Sequence, residues 1–456
     1  MIFPILFLIW SFPVVGETGQ TYYVSPQGND ANDGKSVAKA WRTIGKVNQM
    51  NLKAGDALLF EGGKIFSGTL LLDENDGGTP DKPLRISSFG KEKAMIDAGD
   101  EGGIFVHNTQ WISLRKLIVK GNGVSKNRKS GIEFLVDKPN TKLSNIEIVD
   151  CEAYGFHRYG ILINGDKSDK TGFENVKITR CIASQNGDAG IGSLAYYPSM
   201  SHRNIHVSYC KAFQNKGDTT NTKSHTGNGI VLSGAEDVLI EWCEAYENGA
   251  YSRSLNGGPV GIWVWNCRKA IIQHSVSHHN HAGLYHDGGG FDIDGGASDC
   301  IIRNCNSHDN EGAGYLICEF GSPNKCTNNQ VVNNVSRNDG LKNSYGGISI
   351  SGASHEYQVD GCLIQNNKVY VTARNTVNGT PAAVFFNNVY FRNIKFENNY
   401  FELSKGTTLV RCDSLLTDNL AQFKGNRYKS AITTAPVLCK KCNEAQVAEL
   451  RKKLTE

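Results

Sequence analysis

The chain has 456 residues, a length that ordinarily suggests two or three domains. Glycine supplies 50 of them, well above the usual share of about 7%, and proline only 11. Charged residues are 20% with a net charge of +3, which argues against a nucleic-acid binder, and a 39% apolar content is too high for a disordered chain.

Met1 to Gly16 is an apolar run of signal-peptide length, with Val14 and Gly16 suited to the small-residue positions before a cleavage site. It lacks the usual Lys or Arg near its start. A secreted or periplasmic protein is expected, with residues 1–16 removed. No other apolar run is long enough to span a bilayer. Residues 17–100 read as an N-terminal cap and first rungs. Trp41 to Met50 has the pattern of a short amphipathic helix, followed by a turn at Leu52 to Asp56 and a strand at Ala57 to Phe60. Such a helix would cover the open end of a repeating core. The acidic stretch Asp73 to Gly78 begins like a calcium loop, but Leu84 stands where the twelfth-position Glu is needed. It reads as a solvated turn.

Between residues 100 and 350 one phrase recurs: a glycine, a large apolar residue, then alternation. It appears at Gly103-Ile104, Gly131-Ile132, Gly160-Ile161, Gly190-Ile191, Gly229-Ile230, Gly261-Ile262, Gly290-Phe291, Gly314-Tyr315 and Gly347-Ile348. The spacing stays near 30 residues, with insertions, as stacked units with loops of different length require. A second alternating phrase follows each first one, as at Asn145 to Ala153 and Asn175 to Ala183. Alternation marks both phrases as strands. Strand and turn repeating without hairpin signals predict a right-handed parallel β-helix over 101–436, each rung about 4.8 Å above the last.

Two columns fix the register. Cys151, Cys181, Cys210, Cys243 and Cys305 share one repeat position, with Ser275 standing in between Cys243 and Cys305. Five residues later stand Asn186, Asn215, Asn248, Asn280 and Asn310, read as an amide ladder at a left-handed turn. Thirteen cysteines in an exported chain usually suggest disulfides. Stacked in a solenoid they are expected as free, buried thiols. Cys439 and Cys442 form a lone CxxC, a weak zinc signal, read as a local disulfide or plain thiols. Residues 437–456 read as a helical tail, with a helix over Asn443 to Leu454.

The segment Tyr22-Tyr23-Val24-Ser25-Pro26-Gln27-Gly28-Asn29-Asp30, with Trp41-Arg42-Thr43-Ile44 and Ala54-Gly55-Asp56, resembles the opening of secreted proteins of the pectin-lyase-like superfamily. The resemblance covers essentially the whole mature chain and implies the fold. That superfamily includes lyases, hydrolases, epimerases, esterases and non-catalytic proteins, so no activity follows. The Asp-Asp, Gly-His-Gly and Arg-Ile-Lys set of polygalacturonases is missing, as is Trp-Ile-Asp-His of the pectate-lyase type.

The register assigns faces. Phe291 and Ile293 align with Ile262 and Val264 and with Tyr315 and Ile317, pointing inward. Asp292 and Asp294 therefore point outward on one face, their Cα atoms about 6.5–7 Å apart. Trp263 and Trp265 precede them by one rung and are expected at the surface; Leu316, Cys318 and then Glu319 follow. Indole faces beside carboxylates suit a carbohydrate. Asp287 and His286 precede the acidic strand. His225 follows the insertion 213–228, Arg253 lies in the insertion Gly249 to Pro259, and Tyr196 and Tyr197 follow the Gly190 rung. The catalytic candidates are Asp292, Asp294, Asp287, Glu319 and His286. The substrate-binding candidates are Trp263, Trp265, Tyr196, Tyr197, Arg253 and His225. His278, His279, His281 and His286 lack the spacing of a known metal motif and read as a polar turn with one functional histidine.

Three chemistries fit. Two of the carboxylates could serve as acid and base, or acid and nucleophile, of a glycoside hydrolase acting on a polysaccharide or oligosaccharide. The acids could instead hold Ca²⁺ for a lyase or uronate epimerase, with Arg253, His286 or Lys223 as base. The surface could also bind glycans without chemistry. The hydrolase leads, because the register places no Lys or Arg on the face. A monomer without cofactor is expected, with Ca²⁺ needed only by the lyase.

Overall fold

The computed structural model describes residues 19–372, 380, 382–430 and 436–455. The leader expected at residues 1–16 lies outside them. The chain is a parallel β-solenoid of about 12 turns, with two α-helices among the described residues, Ile44–Val47 and Glu444–Thr455. Among the described residues every ladder between strands is parallel and joins neighbouring rungs; an isolated antiparallel bridge joins Thr79 to Lys82. One face is a 13-stranded sheet running from Ile65–Ser67 to Arg427–Ser430. The other two faces merge into a single 26-stranded sheet, because the 14-residue strand Asn228–Glu241 runs without a break from one face to the next. No helix among the described residues is long and apolar enough to cross a membrane.

One continuous apolar core fills the coil, with Ile104, Ile132, Ile161, Ile191, Ile230 and Ile262 all essentially unexposed. The cysteine column stands as expected: Cys151, Cys181, Cys210, Cys243 and Cys305 are free and buried. Burial pushes the thiols of Cys181 and Cys210 up. Ser275 takes the vacant step, its hydroxyl accepting the Cys243 N–H at 3.1 Å. Beyond Cys305 the column changes chemistry. Asn334, Asn367, Asn399 and Asn426 continue it as a second amide ladder, with side-chain contacts of 3.1, 3.0 and 2.9 Å.

The first amide ladder is equally regular. Nδ2 of Asn186, Asn215, Asn248 and Asn280 each donates to Oδ1 of the next asparagine, at 2.8–3.1 Å. One expectation is corrected. These asparagines are not the left-handed residues; the preceding ones are, Gln185, Gln214, Glu247, His279 and Asp309, with φ of 52–56°. The turn residue faces solvent, and the next residue tucks its amide into the coil.

The N-terminal helix is shorter than its pattern suggested, Ile44–Val47 rather than Trp41 to Met50. Trp41 is instead held in extended backbone beside Val24, stacked on Tyr22 at 4.9 Å. Ile44 and Val47 still bury into the end of the core. At the other end, Leu450 and Leu454 of the C-terminal helix enter the core. Cys439 and Cys442 form a local disulfide.

Candidate active site

The strand Val260–Arg268 pairs with Gly289–Asp294 in the expected register: Ile262 with Phe291, Trp263 with Asp292, Val264 with Ile293, Trp265 with Asp294. Phe291 and Ile293 are fully buried in the coil, so Asp292 and Asp294 leave it on the outer face. What covers that face differs from expectation. Trp263 and Asp292 are only 3% and 2% exposed. The insertion before Asn228 lies over Trp263. His225 meets Trp263 edge-on at 5.0 Å, and Asn228 Oδ1 accepts the Trp263 Nε1–H at 3.1 Å. Ala189, Val231, Val260 and Trp263 form a second small apolar cluster outside the coil, with Tyr159 and Trp265 at its margin. The surface position expected for the tryptophans is therefore corrected: Trp263 is buried and Trp265 half-buried. Alternation sets which side of the strand a residue leaves by; the insertion sets what covers it.

Three carboxylates meet here in different surroundings. Asp292 Oδ1 has no hydrogen-bond partner among the described residues. Burial, with Asp294 and Asp287 nearby, holds its carboxyl well above the usual range. Asp294 is half-buried, and its Oδ1 accepts the Gly295 N–H at 2.7 Å. Burial raises it to about 7, with the charges of Asp287 and Glu319 adding. Asp287 sits at a left-handed turn residue, φ 52°. Its Oδ2 accepts the Gly258 N–H at 2.6 Å and its Oδ1 the Tyr345 hydroxyl at 2.7 Å. Gly258 is required there: a Cβ would stand 1.9 Å from the His286 carbonyl oxygen.

His225 is half-buried, and burial lowers its imidazole against the opposing pull of Asp287. Its Nδ1 lies 3.0 Å from Asn228 Nδ2, an arrangement that makes Nδ1 the acceptor and leaves the proton on Nε2. An aromatic wall lines the Asp294 side. Tyr197 lies 5.8 Å from Trp265, and Phe320 meets Trp265 edge-on at 6.3 Å. Phe320 is 51% exposed and packs over Gly295, where a Cβ would strike its ring at 2.4 Å.

Other candidates fall differently. Glu319 is 3% exposed with both oxygens engaged: Oε1 accepts the N–H groups of Gly321 and Ser322 at 2.7 and 2.6 Å, and Oε2 that of Gly296 at 3.1 Å. These contacts tie the loop carrying Phe320 to the Gly296 turn. His286 is exposed beside Tyr285, and Arg253 is exposed on its loop; neither bonds to the acids among the described residues. Tyr196 is exposed, and its ring does not join the aromatic wall. The register also carries one cation that was not expected. Asp292, Leu316, Ser349, Phe385 and Arg411 occupy one column. Arg411 lies four rungs from Asp292, about 19 Å at the spacing of stacked strands. Its guanidinium sits 3.8 Å from the Phe385 ring centre, and burial lowers it to about 10.

Tyr345, Phe320 and Asn228 escaped the sequence reading. Tyr345 directly precedes the strand Gly346–Ser351, much as Asp287 stands just ahead of Gly289–Asp294, and that placement was the available signal. Phe320 and Asn228 lie in or beside loops that carry no period.

A family profile described as the right handed beta helix region matches residues 140–293 and 218–401. The chain belongs to that β-helix family. A lacto-N-biosidase from Bifidobacterium longum subsp. longum is 23% identical to it over 480 residues, covering 82% of the chain. The chain spans 29% of that relative's length. The crystal structure of a lacto-N-biosidase from Eubacterium ramulus superposes with a TM-score of 0.59 at 17% identity, covering 92% of this chain and 68% of that one. At that identity the likeness concerns the fold. Within this β-helix, a separate cleft of about 320 Å³ is lined by residues including Arg128, Asp218, Thr220 and Tyr251; none belongs to the carboxylate cluster.

Proposed function

We propose that the protein is a glycoside hydrolase that cleaves a glycan at the carboxylate cluster. The observation that carries this reading is the crowding of Asp287, Asp292 and Asp294 on one outer face, where burial raises Asp292 and Asp294. Asp294, raised to about 7 and partly exposed, suits the general acid that protonates the departing glycosidic oxygen. Asp287, fixed by the Gly258 N–H and the Tyr345 hydroxyl, suits the carboxylate that attacks the anomeric carbon or activates water there. Asp292, buried behind them, is pushed toward its neutral form by burial and adds no charge to the cluster. Trp265, Tyr197 and Phe320 offer apolar faces to sugar C–H groups.

The lacto-N-biosidase relatives point to a lacto-N-bioside as the first substrate to try. A hydrolase is favoured over a lyase because no Lys or Arg touches the acids among the described residues. A secreted or periplasmic location accords with the apolar run at residues 1–16.

The test is a glycan panel that includes lacto-N-biosides and acidic polysaccharides, digested by wild type and by Asp287→Asn and Asp294→Asn. New reducing ends without ultraviolet absorbance, lost in both variants, are expected. Absorbance from an unsaturated uronate would replace the hydrolase by a lyase. Binding without turnover on the whole panel would leave a glycan-binding surface.

A further inference from the structure

Away from the acids, three histidines from two rungs converge on the 13-stranded face. His278 ends the strand Val276–His278 and His308 ends Asn306–His308, paired in register. Their rings stack at 4.7 Å with planes 4° apart. His279 follows in the left-handed turn, φ 53°, and crosses both rings nearly at right angles, 5.0 Å from His278 and 5.6 Å from His308. One ring nitrogen from each of the three lies within 4.8 Å of the others.

Stacking accounts for part of this. Phe213, Tyr246, His278 and His308 form one column of flat rings at 4.9, 5.1 and 4.7 Å. Any aromatic ring would serve there. It does not account for His279, whose Nδ1 faces His278 Nδ1 at 2.8 Å. At that distance one of the two nitrogens must present a lone pair to the other. Each stacked ring also meets a carboxylate: Glu244 Oε1 is 3.5 Å from His278 Nε2, and Asp309 Oδ2 is 3.0 Å from His308 Nδ1. Glu244 is itself held by Lys211 at 2.8 Å. A carboxylate on one ring nitrogen fixes the proton there and frees the other for a metal, the outer-shell pattern of histidine sites.

We propose that His278, His279 and His308 bind a late first-row divalent cation, zinc first among them, on the outer surface of the solenoid. Three imidazoles suit zinc, copper or nickel; calcium and magnesium want oxygen. Zinc–nitrogen bonds of about 2.0–2.1 Å set ligand nitrogens about 3.3 Å apart. That value lies between the 2.8 Å contact and the 4.8 Å span seen here, and the stacked rings of His278 and His308 must turn out of parallel for their nitrogens to converge on one ion. His279 is exposed, which leaves solvent as the fourth ligand. The ion would tie two adjacent rungs at the foot of the loop that leads to Asp287. Linear spacing conceals the site, because His308 is a full rung from His278.

The test uses the full chain without a histidine tag. Zinc is titrated against a chromophoric chelator, and cobalt absorbance reports the geometry. One equivalent of zinc, a tetrahedral cobalt spectrum and no competition from calcium are expected. The His279→Ala/His308→Ala variant should bind at least about 100-fold more weakly, since even outer partners are worth 10–100-fold. Zinc should raise the melting temperature of wild type and not of that variant. Asp287→Asn/Asp294→Asn should bind zinc like wild type. No zinc equivalent in wild type, or unchanged binding in the histidine variant, overturns the proposal; so does loss in the aspartate variant, which would put the ion at the acids. If the double variant does not fold, His279→Ala alone decides, because that ring is exposed.

Discussion

The Tyr345 hydroxyl donates to Asp287 Oδ1 at 2.7 Å, joining two loops 58 residues apart in the chain. Asn343 Nδ2 reinforces the join at the Tyr285 carbonyl, 2.6 Å away. Tyr345→Phe removes one of two donors to a carboxylate while keeping the ring. A hydrogen bond to a charged group is worth about 1.5–3 kcal/mol, so kcat/KM should fall about 10- to 100-fold with little change in far-UV circular dichroism. A loss below threefold would mean that Asp287 does not need this donor.

Asp294 sets the pH response. As the general acid it must be protonated, so kcat/KM should fall as pH rises through about 7. Asp294→Asn should abolish that limb together with the activity. A basic limb that persists in residual Asn activity would remove Asp294 from the acid role.

The same carboxyls bear on stability, with a definite sign. Asp292 and Asp294 titrate higher in the folded chain than the unfolded value of about 3.9. The folded chain therefore binds more protons above pH 4, and stability falls as pH rises from there through about 7. Asp292→Asn copies the neutral acid and should melt a few degrees above wild type at pH 8, with the gain shrinking at pH 4. Melting curves at the two pH values decide it; a variant less stable at both would show that Asp292 acts as an anion.

Asn248 tests the ladder. Its Oδ1 accepts both the backbone N–H and the Nδ2 of Asn215, at 3.1 and 3.0 Å. Asn248→Ala strands two buried donors at about 1–3 kcal/mol each, so a loss of about 2–6 kcal/mol is expected in urea unfolding. A change below 1 kcal/mol would show that water replaces the amide.

Thiol chemistry reports the cysteine column. Cys181 and Cys210 are unexposed and their thiols are pushed up by burial, whereas Cys318 is half-buried. A thiol reagent should modify at most Cys318 in the native chain and all free cysteines in guanidinium. Fast native labelling of Cys181 would contradict the packed column.

The cysteine and asparagine columns were legible because a residue in a solenoid meets its own repeat equivalent, so period alone gives the contact. Asp292 and Asp294 were placed on the right face for the same reason. The exposure of Trp263 was misjudged because strand alternation carries no information about the aperiodic insertion that holds His225 and Asn228. Tyr345 and Phe320 were missed on similar grounds. Glu319 follows the acidic face by one rung, but period says nothing of the three backbone N–H groups, two from its own loop and one from Gly296, that its carboxylate accepts. Arg411 lies beyond the last repeated phrase, at Gly347-Ile348, where the period no longer marks the rungs.

The amide ladder also has a direction. From Asn186 onward each Nδ2 points to the oxygen of the next rung, so the side-chain dipoles add head to tail. A line of donors cannot end on another donor. It ends on Asp339, whose Oδ1 accepts Asn310 Nδ2 at 2.7 Å, with Ser336 on the other oxygen at 2.6 Å. Burial raises that carboxyl to about 6 even so. The solenoid thus holds a polarised wire with an anionic terminus. Because aligned dipoles strengthen one another, protonating Asp339 should loosen amides several rungs away, and amide exchange at Asn215 and Asn248 would show it.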